Sequence, residues 1–295
     1  MSFLNSKTWR EFQRSVGREI FEINKDVYLI KMELPLGKNY LYSPSPRALD
    51  YLDEIKKIGQ KQGSIFFKFE PLTQRTTQPS HEATAGTANK EQLTRLQNLG
   101  FRDAVKELQP QRTIILDLNV HHDELLGHMH KKTSYNIRLS EKKFLKVENS
   151  KDINAFWDLL KKTSNRSEFA VHPKEYYKKL IELENVDLYF VKTRDQFAAA
   201  AIVISYNNRM TYLHGASDYS LRKYMAPYFL HWELIKIAGR EDMDEYDLWG
   251  IDEKRWPGVT RFKRGFGGKE VQYIGSFDLV FKPVWYWAYK FKNKF

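Results

Sequence analysis

The sequence RWPGVTRFKRGFGGKE occupies residues 255–270 and is the most informative part of the chain for its fold. Its sixteen positions hold four glycines, five basic side chains and three aromatic rings. Glycine lets a backbone approach another group closely, and clustered positive charge is typical of anion-binding segments. A lysine beside backbone N–H groups can also stabilise an oxyanion formed during acyl transfer. The stretch therefore indicates either a site for an anionic substrate or a basic surface turn between strands.

The composition limits the classes of function. The chain has 295 residues and a net charge of +11, which favours polyanionic partners such as nucleic acid, nucleotides or anionic lipid. It contains no cysteine, which excludes thiolate catalysis, disulfides and zinc–thiolate sites. The sequence has neither the apolar segment of a signal peptide nor an apolar run long enough to span a membrane. We therefore expect a cytoplasmic protein.

Helical and strand periodicities alternate along the chain. A short amphipathic helix is predicted after Ser6, and a longer helix over 224–242 has Pro227 in its first turn. Three strands joined by short turns are predicted over 186–217. Residues 72–90 carry almost no large apolar side chain and are predicted to form a mobile loop.

The two halves of the sequence are weakly similar to each other. Trp9 and Phe12 precede the segment VYLIK, and Phe156 and Trp157 precede LYFVK. A duplicated α/β unit would explain this similarity. We expect two units and a C-terminal segment that docks on the first of them, over residues 1–121, 122–275 and 276–295.

Nucleophilic and metal-dependent chemistry have little support in the sequence. The chain has no G-x-S-x-G motif, no P-loop and no dinucleotide-binding fingerprint. Four histidines surround a predicted helix start, at His121, His122, His128 and His130. They form no H-x-x-x-H pair and have no carboxylate at ligand spacing, which favours a solvated helix face. We therefore expect neither a metal nor a cofactor.

Several longer segments occur in a recognisable order. They are RTIILDL followed by ELLGHMHKKTSYNIRLSEKK, then FAVHPKEYYKKL, YLHGASDYSLRKYMAPYFLHWELIKIA, EYDLWGI and WPGVTRFKRGFGGKEVQYIGSFDLV. Together they resemble the Fem family of peptidoglycan-bridge peptidyltransferases, which are non-ribosomal aminoacyltransferases. The last segment is the most specific match. The resemblance covers most of the chain from about residue 99 onward, and residues 1–71 more loosely.

This resemblance implies a fold and an activity. The fold would be α/β (α+β), with two tandem GNAT-like acyltransferase units packed together in a compact form without a coiled coil. The activity would be transfer of an aminoacyl group from aminoacyl-tRNA to a stem-peptide amine of a peptidoglycan precursor. The product would be an interpeptide bridge or side branch, and the acceptor would be lipid-linked or nucleotide-linked.

The resemblance also implies roles for individual residues. Lys263 would be the catalytic residue that stabilises the oxyanion, and Phe262 would lie against the tRNA end. Tyr176 resembles a tyrosine that contacts the precursor, and Tyr212 or His214 lies near another substrate-contacting aromatic residue. Further substrate-binding candidates are His172, Arg47, Arg261 and Arg264.

Two positions depart from the family pattern. His172 stands where a basic residue is usual, and YSPSPR, which contains Arg47, stands where a basic-Gly-Pro turn is usual. Those positive groups commonly bind the precursor diphosphate in the family. The departures therefore indicate a different mode of precursor binding or a different acceptor.

The C-terminal stretch FKPVWYWAYKFKNKF places aromatic rings among lysines. This composition suits peripheral contact with the inner face of the membrane, where a lipid-linked precursor would lie. It suits better a helix that docks on the first unit with its rings buried, and the two interpretations are compatible with each other.

Two other functions are compatible with the sequence. An acyl-CoA-dependent N-acyltransferase on the same fold would hold a pyrophosphate at the turn over 222–227, although the R/Q-x-x-G-x-G loop is missing. A non-enzymatic RNA- or envelope-binding homologue would transfer nothing. The three functions differ in the donor they need, which is charged tRNA, acetyl-CoA or none.

Overall fold

The chain forms two units that contain one β-sheet each among the described residues. The computed structural model describes residues 2–74, 91–167 and 170–293. Unit 1 comprises Met1–Gln111 with Val271–Phe295, and unit 2 comprises Arg112–Glu270. Most of the loop predicted over 72–90 lies outside the described residues. The predicted mixed α/β class with two tandem units is confirmed.

Helices and strands are interspersed along the described chain. The helices are α1 (Lys7–Ser15), α2 (Leu52–Lys61), α3 (91–98), α4 (His122–His128), α5 (Lys131–Glu141), α6 (Ile153–Ser167), α7 (Lys174–Ile181), α8 (Ala226–Arg240), α9 (Pro257–Arg264) and α10 (Pro283–Lys292). The strands are β1 (Ile20–Glu22), β2 (Tyr28–Leu34), β3 (Lys38–Ser43), β4 (Phe66–Phe69), β5 (Phe101–Asp103), β6 (Arg112–Asp117), β7 (Lys146–Asn149), β8 (Val186–Lys192), β9 (Phe197–Tyr206), β10 (Arg209–Ser217), β11 (Glu245–Asp247), β12 (Lys269–Gln272) and β13 (Phe277–Val280). Short 3-10 helices at Pro46–Tyr51 and Tyr219–Tyr224 precede α2 and α8.

The sheet of unit 1 has the strand order β1-β2-β3-β4-β13-β5. β3 and β4 are parallel, and the other neighbouring pairs are antiparallel. β13 follows unit 2 in the chain but pairs with both β4 and β5. The predicted return of the C-terminal segment to the first unit is therefore confirmed.

A buried ion pair joins β4 to β13 in unit 1. Lys68 and Asp278 face each other in the antiparallel register, and Lys68 Nζ lies 2.8 Å from Asp278 Oδ1. Both side chains are fully buried, and the Tyr286 hydroxyl donates to Asp278 Oδ2 at 2.9 Å. Burial raises the pKa of Asp278, and the charge of Lys68 opposes that shift. Because a buried charge is costly unless it is paired, Lys68 and Asp278 each lower the free-energy cost of burying the other.

The sheet of unit 2 has the strand order β12-β6-β11-β10-β9-β8-β7. β9 and β10 form a hairpin whose turn residues, Asn207 and Asn208, have φ values of 50° and 54°. Asparagine tolerates this left-handed conformation, and the resulting turn matches the twist of the strands. The predicted long helix is α8, which has Pro227 in its first turn and buries Trp232 and Ile235 in the core of this unit.

The unit boundaries differ from those that the sequence suggests. The structure divides the chain at 111/112 and 270/271, whereas the sequence suggests 121/122 and 275/276. β6 lies in the second unit because it pairs antiparallel with β11, from Glu245 opposite Asp117 to Asp247 opposite Ile115. This pairing joins segments that are distant in sequence, and no local signal indicates it.

No helix in the described part of the chain combines the length and the apolar character needed to cross a bilayer. The longest helices, α6 and α8, have 15 residues each. A spanning helix needs about 20 apolar residues.

Candidate functional site

Residues 257–264 of the glycine-rich stretch form helix α9, so the segment is not simply a surface turn. Thr260 and Lys263 lie about one helical turn apart, and both are buried. Arg261 and Arg264 lie on the exposed side of the helix. α9 therefore directs Lys263 into unit 2.

Two backbone carbonyls hold the ammonium group of Lys263. Its Nζ donates to the carbonyl of Gly250 at 2.8 Å and to that of Trp249 at 3.3 Å. The side chain is buried, with 6% of the residue exposed. Trp249 has φ +58°, a left-handed conformation that is rare for a bulky residue. Such backbone strain occurs preferentially at functional sites, and here it lies at one of the two carbonyls that bind Lys263.

Burial controls the charge of Lys263. It lowers the pKa of the ammonium group to about 8, and the nearby carboxylate of Asp247 opposes that shift. Asp247 is itself buried, and burial raises its pKa. Its Oδ1 accepts hydrogen bonds from the Thr113 hydroxyl and from the Trp249 N–H, the latter at 2.8 Å. With a pKa of about 8, Lys263 is mainly protonated at neutral pH and is a buried hydrogen-bond donor.

Aromatic rings surround this lysine. The Lys263 ammonium lies 5.4 Å from the centre of the Tyr212 ring, within the range of a cation–π interaction. The Tyr212 ring is 4.5 Å from that of His231, which is 5.4 Å from Phe262. Burial and then the charge of Lys263 lower the pKa of His231 to about 3. His231 is therefore neutral, and its Nδ1 is hydrogen-bonded to the Tyr246 hydroxyl at 2.9 Å.

A β-bulge separates two residues that the sequence treats as alternatives. In β10 the register shifts between Tyr212, opposite Val203, and His214, opposite Ile202. Their partners are consecutive residues of β9, so the bulge directs Tyr212 and His214 to opposite faces of the sheet. Tyr212 consequently lies beside Lys263, and His214 belongs to a second cluster on the other face.

The second cluster contains three of the residues that the sequence singles out. The rings of His172 and Tyr176 are stacked with their centres 4.0 Å apart and an interplanar angle of 20°. His214 lies 6.4 Å from each of these rings and 5.1 Å from that of Tyr177. Burial, followed by the neighbouring His172, lowers the pKa of His214 to about 3. His214 therefore contributes a neutral ring to this aromatic cluster.

The glycines after α9 allow close contacts within unit 2. Gly267 has φ +76°, and a Cβ there would lie 2.9 Å from the carbonyl oxygen of His128. Gly268 has φ +83°, and a Cβ there would lie 2.7 Å from the carbonyl oxygen of Ile115. The sequence correctly indicates a close backbone approach at these positions, but the neighbouring group is the protein's own backbone.

Replacing Gly268 with Ala should destabilise unit 2 by roughly 2–3 kcal/mol. An L-residue in the left-handed region costs about 1–2 kcal/mol, and the contact with Ile115 adds about 1 kcal/mol or more. Gly258→Ala is the matched control, because nothing lies within 4 Å of its added Cβ. Chemical denaturation of both variants measures the difference. Equal stability would show that the backbone moves away from Ile115 at no cost.

The arginines of the stretch have different environments. Arg264 forms ion pairs with Glu253 and with Glu270, the latter at 2.9 Å. Arg112 on β6 pairs with the same two carboxylates. A substrate phosphate that binds Arg264 would therefore have to compete with both glutamates, whereas Arg261 is exposed.

Arg47 lies in unit 1 and pairs with Asp26 at 2.8 Å. Its side chain is 54% exposed, and that of Asp26 is 28% exposed. An ion pair with this exposure is weak, so the guanidinium can exchange Asp26 for an anionic ligand.

Two of the four histidines near residue 121 accept backbone hydrogen bonds at the starts of helices. The ring of His121 accepts the Asp123 N–H at the start of α4. The ring of His130 accepts the Lys132 N–H at the start of α5 at 3.2 Å. Within the described residues, no group of three or more His, Cys, Asp or Glu side chains is placed to hold a metal ion.

The sequence interpretation misses three residues around Lys263. They are Asp247, His231 and Trp249. Two of them carry a signal in the sequence, because Asp247 is a carboxylate between the apolar residues Tyr246 and Leu248, and His231 lies among the buried residues of α8. Such buried polar groups are informative, since burial of a polar side chain has a cost that needs a partner. Trp249 carries no such signal.

Comparison with known families gives one consistent result. The FemAB family profile matches residues 16–191 and 183–294. Aminoacyltransferase FemB of Staphylococcus epidermidis is 29% identical over 96 residues, which are 31% of this chain and 23% of FemB. The match therefore spans about a quarter of that relative. The lipid II:glycine glycyltransferase of Staphylococcus epidermidis is 22% identical over 320 residues, with 82% of this chain and 75% of that protein covered.

Solved structures with the same fold cover nearly the whole chain. FemX has a TM-score of 0.79 at 18% identity, and the match covers 98% of this chain and 94% of FemX. L-PGS from Bacillus licheniformis has a TM-score of 0.62 at 8% identity, and the match covers 100% of this chain and 97% of L-PGS. At these low identities the structures support the fold alone.

Proposed function

Because this chain belongs to the FemAB family, we propose that it is an aminoacyltransferase acting on a peptidoglycan precursor. It would transfer an aminoacyl group to an amine of the stem peptide, forming an interpeptide bridge or side branch. The similarity to a lipid II:glycine glycyltransferase supports this class of acceptor. The observation that carries the proposal is the buried, protonated Lys263 held by two carbonyls and surrounded by aromatic rings.

We propose aminoacyl-tRNA as the donor. A tRNA is a polyanion, which agrees with a net charge of +11. The acceptor amine attacks the ester carbonyl that joins the amino acid to the ribose, and a C–N bond forms. The C–O bond to the ribose then breaks, and a proton from the amine passes to the released ribose hydroxyl. This donor would place the protein in the cytoplasm.

In this reaction Lys263 would stabilise the tetrahedral oxyanion. An ammonium group has three N–H donors, and two of those of Lys263 are directed to the carbonyls of Gly250 and Trp249. The third would bind the oxyanion. A donor fixed before the reaction is effective because it needs little reorganisation as the charge develops.

The other candidate residues would bind substrate. Phe262 is half-buried beside Lys263 on α9 and would lie against the terminal nucleotide. Arg261 is exposed on the same helix and would contact a tRNA phosphate. The stacked rings of His172 and Tyr176 would bind the precursor, and Tyr212 would position Lys263 and the reacting groups.

In unit 1, Arg47 would contribute positive charge for an anionic substrate after releasing Asp26. Arg264 would keep the segment after α9 in place through Glu253 and Glu270, and would act on tRNA indirectly. These two roles are proposals for the arginines that the sequence groups with substrate binding.

Single-turnover transfer of a radiolabelled amino acid tests the proposal. Lipid-linked and nucleotide-linked muropeptides are offered side by side with a pool of charged tRNAs, and acetyl-CoA replaces the tRNA in a parallel reaction. Label in either muropeptide from charged tRNA supports the proposal and identifies the acceptor. Acetylation alone would favour an acyl-CoA-dependent enzyme. No transfer with RNA binding retained would favour a non-enzymatic homologue.

A further inference from the structure

Helix α10 is anchored to unit 1 by one of its faces. Tyr286 on that face is buried, and its hydroxyl donates to the buried carboxylate of Asp278. The ring of Tyr289 lies 4.9 Å from that of Phe66 in β4. The docked helix that the C-terminal composition suggests is therefore present.

The other side of the same helix is apolar and exposed. Val284, Trp287, Ala288 and Phe291 have the i, i+3, i+4, i+7 spacing of one helix face. We name these four residues the α10 outer face. Val284 is 82% exposed and Trp287 is 70% exposed. Docking through Tyr286 and Tyr289 therefore leaves much of the apolar surface of α10 in water.

A hairpin that contacts α10 carries a further exposed apolar side chain. Lys38 in β3 places its ammonium 4.2 Å from the centre of the Trp285 ring. Two residues earlier, at the tip of the β2–β3 hairpin, Leu36 is 83% exposed with φ +62°. Lys38 thus joins the hairpin tip to α10 within unit 1. Exposed apolar surface of this kind is typical of an interaction site.

The charges around this surface indicate an anionic partner. Residues 281–295 contain no acidic residue and four lysines, at Lys282, Lys290, Lys292 and Lys294. Lys290 and Lys292 are exposed beside the α10 outer face. Lysines that flank aromatic and aliphatic side chains on a short helix are typical of helices that lie in the interface of an anionic bilayer.

Two other partners fit these observations less well. Single-stranded RNA binds by base stacking on aromatic rings, and the exposed aliphatic side chains of Val284 and Leu36 offer no stacking surface. A second copy of the chain in a two-fold dimer would bring two copies of the positively charged segment 281–295 into one interface, and like charges repel.

We propose that the α10 outer face, together with the tip of the β2–β3 hairpin, docks on a bilayer that contains anionic lipid. The aromatic and aliphatic side chains enter the interface, and Lys290 and Lys292 contact the headgroups. This inference does not depend on the proposed transfer reaction, because lipid binding is measured without donor or acceptor.

Co-flotation with vesicles tests the surface. Wild-type protein should float with vesicles of phosphatidylcholine and phosphatidylglycerol, and less with phosphatidylcholine alone. The double variant Val284→Ser with Trp287→Ser should lower the partition coefficient about tenfold, because apolar burial drives interfacial binding. The double variant Lys290→Gln with Lys292→Gln should lower the partition coefficient about fivefold for each lysine removed, and only on the anionic vesicles. Point substitutions are preferred to deletion of α10, which would remove the buried Tyr286.

A matched control is available in unit 2. Phe144 is 89% exposed in the lysine-rich segment KKFLK, and Phe144→Ser should leave flotation unchanged. Unaltered thermal melts of the α10 variants would exclude loss of folding. Equal flotation of all variants would overturn the proposal. Two other results for the double variant Val284→Ser with Trp287→Ser would also overturn it, if vesicle binding is retained. One is loss of RNA binding, and the other is loss of a dimer observed by sedimentation.

Discussion

Replacing Lys263 with Met should lower the single-turnover rate of aminoacyl transfer by about 10²–10³-fold, with precursor affinity almost unchanged. The ammonium is the buried donor proposed for the oxyanion, and loss of one such donor typically has an effect of this size. Methionine has a similar length and no charge. Rapid-quench measurement of the rate, with a separate binding titration for the precursor, separates the two effects.

The control for this prediction is Lys269→Met, an exposed lysine in the same stretch whose loss should leave the rate unchanged. Equal losses of rate and precursor affinity in Lys263→Met would instead assign Lys263 to substrate recognition.

The pH profile gives a second readout. Burial lowers the pKa of Lys263 to about 8, so the ammonium is present below that pH and is lost above it. The rate should therefore fall as the pH rises through about 8, and Lys263→Arg should lose this fall because a guanidinium stays charged. If the rate instead rises as the pH increases through about 8, and this rise is absent in Lys263→Arg, Lys263 would act as a general base.

Replacing Lys68 with Met should destabilise unit 1 by about 3–5 kcal/mol, because it leaves the buried carboxylate of Asp278 without its cation. For a unit of this size the midpoint of thermal unfolding should fall by roughly 10–20 °C. Hydrogen exchange of β4 and β13 would locate the loss in unit 1. The transfer residues of unit 2 are unaltered in this variant.

Two variants control for the loss of the lysine itself. Lys31→Met removes a lysine from the same sheet whose partner Glu19 is 50% exposed, and it should change stability by less than about 1 kcal/mol. Lys68→Met combined with Asp278→Leu should recover much of the loss, since an apolar pair avoids the buried charge. Failure of this double variant to recover would indicate a packing defect rather than an unpaired charge.

The sequence predicts the elements with strong local signals. Ser6 caps α1 by accepting the Trp9 N–H at 3.0 Å, as the helix-start pattern indicates. Asn207 and Asn208 form the predicted hairpin turn, and Pro227 lies in the first turn of α8. In each case a few neighbouring side chains determine the local backbone conformation.

Features that depend on distant contacts are the ones that the sequence does not predict. Three such features arise from tertiary packing. They are the pairing of β6 with β11, the left-handed backbone at Trp249, and the opposite directions of Tyr212 and His214. The sequence also singles out Lys263, but it does not indicate the burial of this side chain. Its neighbour Asp247 lies sixteen positions earlier along the chain, on another element. The site around Lys263 combines residues of α9 and β11, so it can be identified only from the packed structure.

The insertion of β13 between β4 and β5 reverses the usual order of folding during synthesis. Unit 2 is continuous in sequence, so the ribosome releases all of its residues before β13 emerges. Until then β4 and β5 have unpaired edges, and Lys68 lacks its carboxylate. A nascent chain stalled before residue 277 would therefore carry a finished second unit and an incomplete first one. During that interval the unpaired edges of β4 and β5 are the surfaces at which we expect nascent chains to aggregate.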